Sequence, residues 1–141
     1  MARNRTWADE LTFFHEQIRS APDSAKAHYG LGGALAASGD YRAALTEYEK
    51  AIAIFPYYSE AFFNMGNALR RLRSGPGQVI EAYRNAIRFN PANANARANL
   101  ALFLLENDRP DEARPLIEEL AQLNPQHPAL AVLRQAVPPA R

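Results

Sequence analysis

The chain has 141 residues, 48% of them hydrophobic and 22% charged, the proportions of an ordinary folding domain. Its 16 basic and 15 acidic side chains leave a formal charge of +1, which excludes binding to a polyanion by bulk charge. The absence of cysteine excludes a disulfide framework, a thiolate metal site and a cysteine nucleophile.

Helical periodicity starts at once. Thr6, with Asp9 three residues on, predicts an N-cap, and Leu11, Phe14 and Ile18 place an apolar stripe on a helix from Trp7 to Ser20. Pro22-Asp23-Ser24 breaks the chain and caps a helix over residues 25–37. Gly32 lies inside that helix, where glycine costs about 1 kcal/mol relative to alanine, so a partner helix is expected close against it. Gly39-Asp40 makes the next turn, and Asp40 caps a helix over 41–54. On it Ala44 and Ala51 share one face, and Tyr48 fills the gap to the following repeat.

Ser59 is expected to cap a helix carrying Phe62, Met65-Gly66 and Leu69. Ser74-Gly75-Pro76-Gly77 is expected to form the turn after it, before a helix bearing Val79, Tyr83 and Ala86. A weaker third unit keeps Leu100, Leu104, Ala113 and Pro125, with Arg97 in its aromatic slot. Pro110 suits the first turn of its second helix, whereas Pro115 predicts a local distortion or a later helix start. A last helix follows over 129–137, and Pro138-Pro139 opens a frayed end.

The prolines that close the units, Pro22, Pro56, Pro91 and Pro125, are spaced 34, 35 and 34 residues apart. Leu31-Gly32, Leu35, Gly39, Tyr41, Ala44, Tyr48, Ala51 and Pro56 stand at the spacings of the tetratricopeptide (TPR) repeat, with His28 in the first aromatic slot. The chain therefore resembles the TPR family. The resemblance implies an all-α fold, a right-handed TPR superhelix of three helix pairs with one extra helix at each end. It divides a single domain, 1–137, into an N-terminal helix (6–22), three repeats (25–58, 59–93, 94–127) and a C-terminal capping helix (128–137), with 138–141 a disordered tail.

The same resemblance implies a non-catalytic scaffold that binds a protein or an extended peptide in a concave groove. Tyr29, Phe63, Asn64, Asn67, Arg70, Arg71 and Asn99 are the groove residues it selects. The two-carboxylate clamp of TPR proteins that hold chaperone tails is absent: Asn64 matches, but Tyr29, Gly33, Asn95 and Asn99 occupy the other positions. The asparagine ladder of O-GlcNAc transferase is matched by Asn64 and Asn99 and interrupted by Gly30. An amide both donates and accepts, which suits it to a peptide backbone. Arg70 and Arg71 favour an acidic segment. Residues 59–93 carry five arginines and two acids (+3), and residues 94–127 three arginines and six acids (−3), so two copies also have charge to associate head to tail.

Two alternatives come from the ends. The apolar end helices, including Ala129 to Leu133, suit a self-assembly domain and a homo-oligomer. The stretch Arg5 to Leu11 leading to Pro22–His28 resembles the lead-in to the repeats of transmembrane-and-TPR O-mannosyltransferase-type proteins, which would make the chain the accessory tail of a membrane glycosyltransferase. No apolar run reaches the ~18 residues needed to span a bilayer, and MARNRTWADE is not a signal peptide. A soluble protein is expected, cytoplasmic if the chain is whole and extracytoplasmic if it is such a tail. No enzyme activity, metal, cofactor or nucleic acid is expected. His15, His28 and His127 lack ligand spacing, and His28 sits in a core slot. Acids 106, 108, 111, 112, 118 and 119 fall on turns and outer faces, and Gly75-Pro76-Gly77 lacks the residues of a phosphate loop.

Overall fold

The computed structural model describes residues 6–140; the first five residues and Arg141 lie outside it, and with them Arg5 of the lead-in stretch and the last residue of the expected tail. The described residues form eight α-helices and no strand: α1 (Trp7–Ser20), α2 (Ala25–Ala37), α3 (Tyr41–Ile54), α4 (Ser59–Arg71), α5 (Pro76–Phe89), α6 (Ala94–Glu106), α7 (Pro110–Leu123) and α8 (Ala129–Ala136). Helix α2 packs on α3, α4 on α5 and α6 on α7, while α3 against α4 and α5 against α6 join the pairs into one row. At the two ends α1 lies on α2, and α8 lies across α6 and α7. The all-α solenoid is thus built from hairpins that each bury a face only by stacking.

Most boundaries follow from caps. Thr6 and Asp9 cap each other's backbone reciprocally, and Ser24, Asp40 and Asn93 each accept from the backbone N–H three residues on. Ser59 is not a cap. Tyr58 holds that position, and the Ser59 hydroxyl, buried, donates instead to the Ala86 carbonyl at 2.7 Å, stitching the start of α4 to α5.

Pro76 and Gly77 belong to helix rather than turn, because proline at the first helical position lacks only an N–H that would be unpaired there anyway. The extra residue of the second unit lies in the α4–α5 connection, which has four residues (72–75) against three (38–40) between α2 and α3. Helix α7 begins at Pro110 and runs through Pro115 without a later start. One backbone hydrogen bond is lost there, and the burial of Ala113, Ile117 and Leu120 holds the helix across the gap.

Where each first helix ends, the chain turns through a left-handed residue. Gly39 has φ 90°, and at the equivalent places Arg73 has φ 54° and Asp108 φ 56°. Only the first of these is glycine.

Tyr48 and Tyr83 are fully buried, and their rings lie against Gly32 and Gly66, where a Cβ would come within 2.5 and 2.7 Å of a ring carbon. Tyr48 also meets Ala44 and Ala68, spanning the seam between the first two pairs. At the C-terminal end, Leu130 and Leu133 of α8 point inward, 4% and 1% exposed, while Val132 faces solvent. Helix α1 has no buried residue, and Trp7 is half exposed.

His28, Phe62 and Arg97 occupy one repeat position, 34 and 35 residues apart. The two polar ones are buried and bonded alike. His28 Nε2 donates to the Pro22 carbonyl at 2.9 Å and Nδ1 faces Glu47 Oε2 at 2.7 Å. Arg97 donates to the Pro91 carbonyl and to Glu119 Oε2. Each of these side chains therefore ties a closing proline to a carboxylate on the second helix of its own pair.

Candidate functional site

First helices α2, α4 and α6 run side by side, so residues one repeat apart come into register on one face. The sequence places an aromatic phenol at 29 and amides at 64 and 99, and the structure brings them together: Asn64 Nδ2 donates to the Tyr29 hydroxyl at 3.0 Å. One turn further along, Asn67 Oδ1 accepts from Tyr83 at 2.6 Å and from Asn99 Nδ2 at 2.9 Å. These bonds orient the three amides and leave Asn67 Nδ2 and Asn64 and Asn99 Oδ1 unspent.

The amides open into a cavity of about 750 Å³ lined by Asn64, Asn67, Asn99, Arg70, Arg71 and Arg73, with Tyr41 and Tyr48 on its first-unit side. Arg70 lies against the Phe103 ring, 6.0 Å from its centroid, and donates to Glu106 at 2.5 Å. Arg71 lies over the Tyr41 ring at 5.6 Å. Burial pushes the Tyr48 phenol up to about 12, and burial likewise raises Tyr83 and Tyr29, against the Asn64 hydrogen bond in the last case. All three remain neutral hydroxyls. The electrostatic character of the cavity is set by its arginines.

Of the seven residues selected from the sequence, Asn64, Asn67, Arg70, Arg71 and Asn99 line this cavity together. Tyr29 stands behind Asn64 in an aromatic row, its ring 5.0 Å from Tyr58 and 6.1 Å from Tyr48. Phe63 is packed on Tyr83 at 6.1 Å and contributes to the core beside the groove. Asn95, a further groove position, is bonded to His127 Nε2 at 2.9 Å.

Five lining residues, Ala36, Tyr41, Tyr48, Ala68 and Arg73, were not selected for the groove from sequence, and two of them are instructive. Tyr41 opens a second helix, and the repeat pattern assigns the groove to first helices. Arg73 lies in a turn, but its place 34 residues after Gly39 was a usable signal that its backbone turns left-handed and projects a side chain there. Among the described residues no group of His, Asp and Glu stands together to hold a metal ion, and no helix is long and apolar enough to cross a membrane.

A tetratricopeptide-repeat family model matches residues 76–137, and a TPR-repeat model matches residues 32–72. The human protein O-mannosyl-transferase TMTC3 is 31% identical over 91 residues, 64% of this chain and 10% of that protein; the chain spans about a tenth of that relative's length. Among solved structures, MamA superposes with TM-score 0.79 at 17% identity, over 92% of this chain and 77% of that one. YrrB, described as a TPR protein with an unusual peptide-binding site, gives 0.71 at 22% identity over 89% and 66%. The Cut9–Hcn1 complex of the APC/C gives 0.82 at 17% identity over 93% and 27%. At these identities the structural likeness speaks to fold alone.

Proposed function

Because the chain belongs to the tetratricopeptide-repeat family, we propose that it is a non-catalytic scaffold holding an extended peptide or protein segment in its concave groove, with acidic side chains favoured. The observation that carries this is the set of three adjoining amides, Asn64, Asn67 and Asn99, oriented from behind and open on the cavity side. Oriented amides take backbone N–H and C=O groups of an extended strand without regard to its side chains. Arg71 supplies a cation at one end for an acidic residue.

The test is selection of binding peptides from a random library, followed by titration against the Asn64→Ala, Asn99→Ala double variant. The expected result is about a tenfold loss for two backbone-directed amides, with the helical signal unchanged. A selected ligand that binds the double variant as tightly as the parent would remove the ladder.

A second reading is favoured by one observation, the 31% identity to TMTC3: that the chain is the accessory TPR tail of a membrane glycosyltransferase-type protein. The groove would then present a segment to a catalytic domain elsewhere. Self-association has less support at the C-terminal end, where Leu130 and Leu133 are spent on the chain's own core.

A further inference from the structure

We propose that the arginine end of the groove is a phosphate-monoester site, so that the segment held there is one carrying a phosphorylated side chain. This rests on the groove reading and adds the chemical class of its ligand.

Charge arithmetic comes first. Arg70, Arg71 and Arg73 all line the cavity, and no acid does. Arg70 is paired with Glu106, which stands outside the lining; neither Arg71 nor Arg73 has a carboxylate partner among the described residues. Three guanidinium groups less one carboxylate leave +2 at this end of the groove. A single carboxylate would neutralise half of that, whereas a phosphate monoester carries about −1.5 to −2 near neutrality and matches it.

The inventory of donors agrees. A phosphate presents three strong acceptor oxygens and needs several converging donors. The cavity lining offers two guanidinium forks without a carboxylate partner, those of Arg71, stacked on the Tyr41 ring, and Arg73, together with the Asn67 Nδ2 that makes no hydrogen bond. The planar fork of arginine meets such an anion through two parallel N–H bonds.

The third observation concerns the backbone. Arg73 sits at φ 54° in a turn that the preceding unit makes with Gly39 at φ 90° and the following unit with Asp108 at φ 56°. A side chain there costs free energy that glycine would not. What the arginine adds is a cation at the cavity wall.

The experiment uses the full chain and two small probes, phenyl phosphate and benzoate, followed by amide NMR. Phenyl phosphate is expected to give saturable shifts at the side-chain amides of Asn67 and Asn99 and along residues 70–73, at least about fivefold tighter than benzoate for the added charge. Arg71→Ala combined with Arg73→Gly should weaken phenyl phosphate by about tenfold or more, and Arg73→Gly suits the backbone, so the fold is retained. Glu106→Gln, which releases Arg70, should tighten it. Short-peptide pools with a fixed central phosphoserine should bind better than pools with glutamate there.

Equal affinity for the two probes, no saturable shift, or an unchanged response in the arginine variant would overturn the proposal. Peptide pools that bind with no preference for phosphoserine would overturn it too, and would leave the groove reading standing. Loss of all peptide binding with phenyl phosphate still bound at the arginines would sink the groove reading instead.

Discussion

At the scale of single residues, Gly32 and Gly33 are adjacent in α2 and carry opposite expectations. A Cβ on Gly32 meets the Tyr48 ring at 2.5 Å, while one on Gly33 meets nothing within 4 Å. Tyr48 is 1% exposed and locked by neighbours on both sides, so it has nowhere to move. Gly32→Ala should therefore lose about 1–3 kcal/mol to overpacking, partly offset by better helix propensity. Gly33→Ala should gain up to about 1 kcal/mol from propensity alone. Thermal melts of the two variants check this, and the same sign for both would mean the Tyr48 contact is not what holds Gly32 in place. The need for a small residue at 32 was legible from the repeat pattern, since glycine in mid-helix has a cost that packing must offset. The tolerance at 33 was not, because sequence does not say which glycine faces a ring. Ser59 shows the same limit: its hydroxyl is equally a good cap and a good donor, and only the nearness of the Ala86 carbonyl decides between them.

Between elements, the joints matter more than the helices. Glu47 on α3 is buried against His28 on α2, with Lys50 at 2.9 Å. Burial works to raise its pKa, but the hydrogen bonds from His28 and Lys50 together outweigh it and hold the carboxyl below its usual range. A folded-state pKa below the unfolded one contributes stability above the unfolded value, and that stability is lost as pH falls through the folded value. Glu47→Gln should accordingly melt below the parent at neutral pH. The gap should close on acidification through and below about pH 4, the ordinary carboxylate range. A gap that stays constant across that range would show that the carboxylate's charge contributes nothing. Helix positions were legible here to within a residue, because Ser24, Asp40 and the closing prolines punctuate the chain. The His28–Glu47 bond was not legible. Its partners are 19 residues apart, and the repeat pattern predicts an aromatic ring where the histidine stands.

For the whole molecule, a row of hairpins without long-range closure has local stability. Leu133 is 1% exposed beneath α8 and belongs to the core cluster of the C-terminal half, whereas Tyr48 and its neighbours form a separate cluster. Leu133→Asp should raise hydrogen exchange through α6, α7 and α8 by opening that end, since a buried charge without a partner costs several kcal/mol. Protection in α2 and α3 should change little. Uniform loss of protection along the chain would mean that it unfolds as one unit. The row itself was legible from the 34-residue period, and five of the seven residues selected for the groove line one cavity. The cavity's arginine-rich end was legible only in part, because one of its three arginines comes from a turn outside the groove-lining frame.

The buried polar side chain at one repeat position has a consequence for exchanging units. His28 and Arg97 each bond a carboxylate on the following helix, Glu47 and Glu119, while Phe62 packs on the Phe89 ring of its own pair. A graft that set the helix of Phe62 against α3 would strand Glu47 with its histidine partner gone. Despite their shared outline, the three hairpins are not interchangeable cassettes: the first and third are each keyed to their own second helix by one buried polar side chain, and the middle one carries a ring there instead.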